Sequence, residues 1–143
     1  MKKNCMFNFL IAALLILLSI KAFSQSAIEV TITNIKEVKG SMRVALGSNP
    51  EKFPDTPLKG QVIKITDKTM KVVFENVPAG TYAVSVIHDE NENEKLDTGF
   101  MGIPKEGFGF SNDAMGTFGP PRFKEASFVT PATKAVTVTL KYM

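Results

Sequence analysis

Met70-Lys71-Val72-Val73-Phe74-Glu75-Asn76-Val77, then Pro78-Ala79-Gly80, then Thr81-Tyr82-Ala83-Val84-Ser85-Val86, is the stretch that decides the fold class. Met70, Val72 and Phe74 recur at every second position, and Tyr82, Val84 and Val86 repeat that period beyond the Pro-Ala-Gly turn. Side chains along a strand point alternately to opposite faces, so a period of two marks a strand with one face buried. Proline presets the backbone of a turn and glycine frees it, which breaks the run into two strands. Upstream, Ile28, Val30 and Ile32 alternate with Glu29, Thr31 and Thr33. Met42, Val44 and Leu46 do the same after Lys39-Gly40, and Val62, Ile63 and Ile65 mark another strand after Gly60. Downstream, residues 126–129 form a short strand, and Val136, Val138 and Leu140 the last, with Thr137, Thr139 and Lys141 facing water. No segment sustains a 3.6-residue period. Short strands between Gly- and Pro-bearing turns predict an all-β chain, an antiparallel β-sandwich of about seven strands.

Two stretches break the regular spacing. Residues 47–59 hold three prolines and are expected to be irregular. Residues 88–125 form a longer excursion between the fifth strand and the end of the sheet. Long ordered loops are uncommon in compact domains and often carry function.

The first 24 residues read as a secretory signal, cleaved before Gln25. Lys2 and Lys3 precede an apolar run from Phe9 to Ile20, and Ala22-Phe23-Ser24 supplies small residues at −3 and −1. Twelve apolar residues closed by Lys21 are short for a bilayer span. The expected products are an exported protein, periplasmic or secreted, and one mature domain of residues 25–143 with no transmembrane span. Cleavage takes Lys plus Arg from 17 to 14, equal to the 14 Asp plus Glu, so the formal charge falls from +3 to zero. That balance leaves net charge no part in binding nucleic acid or an anionic membrane. The mature chain holds no cysteine, hence no disulfide and no thiol nucleophile.

The excursion opens with His88-Asp89-Glu90-Asn91-Glu92-Asn93-Glu94-Lys95-Leu96-Asp97. Asp89, Asn91, Asn93 and Asp97 occupy positions 1, 3, 5 and 9 of an oxygen-rich loop, the order in which D-x-[DN]-x-[DN] loops present ligands to calcium. The Lys95 carbonyl would be a fifth ligand. The pattern departs from the EF-hand loop at position 6, Glu94 in place of glycine, and at position 12, Phe100 in place of a bidentate glutamate. Water, or a distant carboxylate such as Glu106 or Asp113, would have to complete the shell. The expected affinity is that of weak extracellular sites, on the order of 10⁻⁴ to 10⁻³ M. The alternative is a solvated acidic tip whose Asn and Asp residues favour turns.

Six of the eight phenylalanines in the mature chain follow: Phe100, Phe108, Phe110, Phe118, Phe123 and Phe128. They either fold back as a satellite core over an open face of the sandwich, or line a patch for a sugar or peptide, with Phe108, Phe110 and Phe118 as its contacts. His88 is the only histidine. It neighbours Asp89, but adjacent strand residues face opposite ways, so no catalytic dyad is expected. Ser85 and Ser111 lack a G-x-S-x-G setting.

Three motifs carry a family resemblance: the acidic segment 88–97, Gly-Ile-Pro-Lys-Glu-Gly-Phe-Gly-Phe-Ser-Asn at 102–112, and Phe-Gly-Pro-Pro-Arg-Phe at 118–123. Together they resemble the secreted bacterial family known as domain of unknown function 2141. The resemblance implies an exported β-sandwich and brings no established activity. Val77-Pro78-Ala79-Gly80-Thr81-Tyr82 is also similar to a turn of transthyretin-like and carboxypeptidase-regulatory-type sandwiches, mostly accessory or binding modules. The expected architecture is therefore transthyretin/immunoglobulin-like. The expected function is a non-catalytic binding or structural module with a calcium-stabilised loop at 89–97. An extracellular carbohydrate or peptide receptor using residues 100–123 is the alternative. A hydrolase using Glu106 and Asp113 is the residual.

Overall fold

The computed structural model describes residues 25–143, so the expected signal segment lies outside the described residues. Among the described residues, eight strands form two sheets: β1 (Ser26–Thr33), β2 (Ser41–Gly47), β3 (Lys59–Lys64), β4 (Met70–Val77), β5 (Gly80–Asp89), β6 (Gly107–Phe110), β7 (Ser127–Thr130) and β8 (Ala135–Thr139). One sheet has the order β4-β1-β8; the other runs β3-β2-β5-β6, with β7 also paired to β5. All pairs are antiparallel except β1 with β8. The molecule is an all-β sandwich. The Pro78-Ala79 turn carries the chain from the smaller sheet into the larger.

The alternating residues of the sequence supply the core. Ile28, Val30 and Ile32 of β1, Val72, Phe74 and Val77 of β4, and Val136, Val138 and Leu140 at the C-terminal end face Met42, Val44 and Leu46 of β2 and Tyr82, Val84 and Val86 of β5. Burying one such side chain contributes roughly 1.5–3 kcal/mol. The open edges β3 and β4 are joined by side chains. Lys59 Nζ donates to the Glu75 carbonyl at 2.6 Å and Gln61 Nε2 to the Val73 carbonyl at 2.6 Å. Those bonds blunt an edge that would otherwise template pairing.

The excursion from 88 to 125 departs from the expected loop, because it contains a strand. In β6 the sequence Gly107-Phe108-Gly109-Phe110 alternates, but with the pattern inverted. The glycines face the other sheet: a Cβ on Gly109 would stand 2.7 Å from Val138 Cγ1, and one on Gly107 2.5 Å from the Tyr142 ring. The missing side chains let β6 approach the C-terminal segment. Phe108 donates to the Lys141 carbonyl at 3.0 Å and accepts from the Lys141 N–H at 2.8 Å, tying the two sheets together. The phenylalanines point outward into a second, smaller core. A strand that reads as a glycine-rich loop was not legible as a strand, so eight are observed where about seven were expected.

Candidate functional site: the acidic loop and its supports

Asp89 is the last residue of β5, and its carboxylate is fully buried (0% exposed) on the outer face of the larger sheet. Register places Arg43 of β2 opposite Ile87, and its guanidinium comes within 4.0 Å of Asp89 Oδ2. Both carboxylate oxygens hold the backbone as it turns: Oδ1 accepts the Asn93 N–H at 3.1 Å and Oδ2 the Glu94 N–H at 2.8 Å. Asn91 Oδ1 also accepts the Asn93 N–H at 3.2 Å, and Asn93 Oδ1 accepts the Lys95 N–H at 3.0 Å. These are the local side-chain-to-backbone bonds that make Asn and Asp turn formers. The two asparagine amides then converge on Asp97, Asn91 Nδ2 at 2.6 Å from Oδ2 and Asn93 Nδ2 at 2.8 Å from Oδ1. The amide donated by Asn93 and then that of Asn91 hold the Asp97 carboxyl below its ordinary value, helped by the charges of Lys105 and Lys95. Asp89, Asn91, Asn93 and Asp97 are thus brought together, and Lys95 joins them through its N–H.

Position 6 of the loop was expected to want glycine. Glu94 stands there with φ 67°, and Glu92 has φ 58°. The left-handed turn is made without glycine, at a cost of about 1–2 kcal/mol per residue. Position 12 is Phe100, which points away into solvent. A different acid closes the loop. Glu106 is buried, its Oε1 accepting the Glu90 N–H and its Oε2 the Asp97 N–H, each at 2.9 Å. The Asp97 carbonyl in turn accepts the Lys105 N–H at 2.8 Å. Asp113 serves elsewhere: its carboxylate accepts the Thr139 N–H at 2.9 Å and the Thr139 hydroxyl at 3.3 Å, capping the edge of β8. Among the described residues, no three Asp, Glu, His or Cys side chains gather as a metal cluster by themselves. A cation here would need the Asn91 and Asn93 carbonyl oxygens beside the Asp89 and Asp97 carboxylates.

The three candidate aromatic contacts are separated. Phe108 and Phe110 are buried with Phe123, Ala83 and Ala126, and Phe53 covers them. Ring centroids lie 5.9 Å apart for Phe53–Phe110 and 5.7 Å for Phe53–Phe123, both edge-to-face, a preferred aromatic geometry. Phe118 is fully exposed, at 101%. A shared aromatic surface of all three does not form, because outward-facing Phe108 and Phe110 are roofed by the 47–59 segment through Phe53. Of the six phenylalanines, Phe108, Phe110 and Phe123 build a satellite core, Phe128 joins the main core, and Phe100 and Phe118 are exposed.

His88 sits on the opposite face from Asp89, fully buried. Its Nε2 lies 3.0 Å from the Lys39 carbonyl and must carry the proton, since that oxygen only accepts. Nδ1 then accepts from the Tyr142 hydroxyl at 2.8 Å, which itself accepts the Lys36 N–H at 3.0 Å. Burial raises the Tyr142 hydroxyl above its ordinary value, and the Lys36 bond opposes it. The chain latches the C-terminal segment to the β1–β2 connection.

Ser111 was read only for its lack of a catalytic motif, yet it solves a specific problem. β6 pairs with residues 85–88 of β5, and β7 with 80–83, so Val84 falls between them. Ser111 Oγ accepts the Val84 N–H at 2.8 Å and donates to the Ala126 carbonyl, supplying the partner that neither strand provides. Its place directly after β6 was the only signal, and it means something only once the pairing is known.

A family model described as an uncharacterized protein conserved in bacteria (DUF2141) matches residues 30–139, and the chain belongs to that family. No curated protein and no solved structure matches the chain.

Proposed function

We propose that the protein is an exported, non-catalytic β-sandwich module whose acidic loop takes a calcium ion at Asp89, Asn91, Asn93 and Asp97, with the Lys95 carbonyl as a further ligand. The observation that carries this reading is the convergence of both asparagine amides on the Asp97 carboxylate, at 2.6 and 2.8 Å. Those amides put partial positive charge where a cation would sit. Rotating the two side chains would turn their oxygens inward, in exchange for the bonds those oxygens now accept from the Asn93 and Lys95 N–H groups. Asp89 keeps lone pairs free while holding its two N–H groups, because each carboxylate oxygen accepts more than one bond. The ion stiffens the loop; no step of chemistry is assigned to it. Glu106 and Asp113, the residual hydrolytic pair, hold different parts of the backbone, Glu106 the Glu90 and Asp97 amides and Asp113 the Thr139 amide at β8, which favours a structural role for both. The receptor alternative retains Phe118 as its exposed aromatic.

The test is a thermal melt in EDTA, then in millimolar calcium or magnesium. At ten times Kd the linkage is about 1.4 kcal/mol, several degrees for a domain of this size. A saturable, calcium-selective rise in Tm that disappears in Asp97→Asn supports the reading. Equal Tm in all buffers contradicts it.

A further inference from the structure

Beyond the acidic loop the chain makes a second, tighter turn with an unusual surface. Thr98 bridges Pro104, Gly99 donates its N–H to the Ile103 carbonyl at 2.7 Å, and Ile103 donates to the Phe100 carbonyl at 3.3 Å. At the end of this turn stand Phe100 (86% exposed), Met101 (84%) and Ile103 (53%). Met101 is in the left-handed region, at φ 57°. A backbone bonded in this way holds the three apolar side chains out of the protein rather than letting them collapse onto it. Contiguous apolar groups displayed to water mark an interaction site.

The size of the exposed surface bears on its occupant. Three side chains offer on the order of 400 Å², about half of what each partner contributes to a standard protein interface, roughly 800 Å². A protruding tip of this size needs no complementary pocket in order to enter a lipid interface. The groups at its base suit that environment. Lys105 lays its stem along the turn, its Cε 3.1 Å from where a Gly99 Cβ would stand, and its charge and that of Lys95 are felt at Asp97. Lysines so placed bury their stems and keep their ammonium groups at phosphate level.

We propose that the Phe100-Met101-Gly102-Ile103 turn is a membrane-insertion tip that seats the protein reversibly on a phospholipid surface. The drive is apolar insertion, not net charge, and the proposal does not depend on calcium. The chain has no tryptophan, so Phe100→Trp is a single reporter on an 86% exposed site. The exported, processed protein carrying it is mixed with phosphatidylethanolamine/phosphatidylcholine vesicles, in EDTA and in calcium, and sedimentation of the wild type is run in parallel. The expected result is a blue shift, quenching by lipids brominated near the headgroup, and partitioning that drops on the order of tenfold in Phe100→Ser/Met101→Ser. Insertion in either buffer supports the proposal. An unshifted, unquenched tryptophan in both, or equal sedimentation of wild type and double variant, overturns it. The Tm of the same samples reports calcium binding separately, so the two readings can fail independently.

Discussion

The sandwich core and the 88–125 excursion are held by different forces. Between the sheets the contacts are mainly aliphatic and aromatic, as where Ile28, Phe74, Leu46 and Val138 pack in one cluster. In the excursion, buried side-chain oxygens hold backbone amides: Asp89 for Asn93 and Glu94, Glu106 for Glu90 and Asp97, Ser111 for Val84. Apolar burial is non-directional and shared by the whole domain. A carboxylate on an amide is directional and local, and removing it strands the amide. The core should therefore fail as a unit and the excursion piece by piece.

The largest effect tests that contrast at the core. Phe74→Ala, in a fully enclosed position, should cost about 3–5 kcal/mol in urea denaturation, with every probe reporting one transition. Gly109→Ala comes next: its Cβ would meet Val138 Cγ1 at 2.7 Å and the Thr139 carbonyl at 3.1 Å, and overpacking of that kind costs about 1–3 kcal/mol. If the two sheets really meet at β6, this change should also weaken protection of the Lys141 amide. Glu106→Gln should cost about 1–2 kcal/mol, because an amide can accept only one of the two N–H bonds. By hydrogen exchange, its effect should be confined to the Glu90 and Asp97 amides, while β1 and β2 stay protected. Global loss of protection there would erase the distinction between the regions.

The smallest effect is the acid response of the loop. Hydrogen bonds from Asn93 and Asn91 lower the Asp97 pKa below its ordinary 3.8. A carboxyl with a depressed folded pKa contributes stability that is fully present above the unfolded value and fades as pH falls through the folded one. Loop order should therefore persist at pH 5 and weaken only below about pH 4. A carboxyl carbon titration of Asp97 by NMR measures it, and Asn93→Ala should move the midpoint upward.

The same contrast explains what could be read from the sequence. The strands β1, β2, β4, β5 and β8 announced themselves by a period of two, because apolar burial needs only the right residue on the right face. Asp89, Asn91, Asn93 and Asp97 were also legible as a set, since local turn chemistry depends on short spacings. β6 was not legible: its glycines face inward and its phenylalanines outward, the reverse of the expected code. Glu106 was named as a distant carboxylate for the loop, though not as the brace of two amides, while the tasks of Ser111 and Tyr142 were beyond reach for a different reason. Each partners an amide or ring brought near by long-range pairing, as Tyr142 meets His88 across 54 residues.

The most direct test of the account is amide hydrogen exchange across residues 89–106, in EDTA and in millimolar calcium. The account predicts slower exchange at Asn93, Glu94 and Asp97 with calcium, no change in β1, β2 or β5 up to Val86, and no effect of magnesium. Identical exchange in both buffers would contradict the calcium loop and leave Asp89 and Glu106 as purely structural braces.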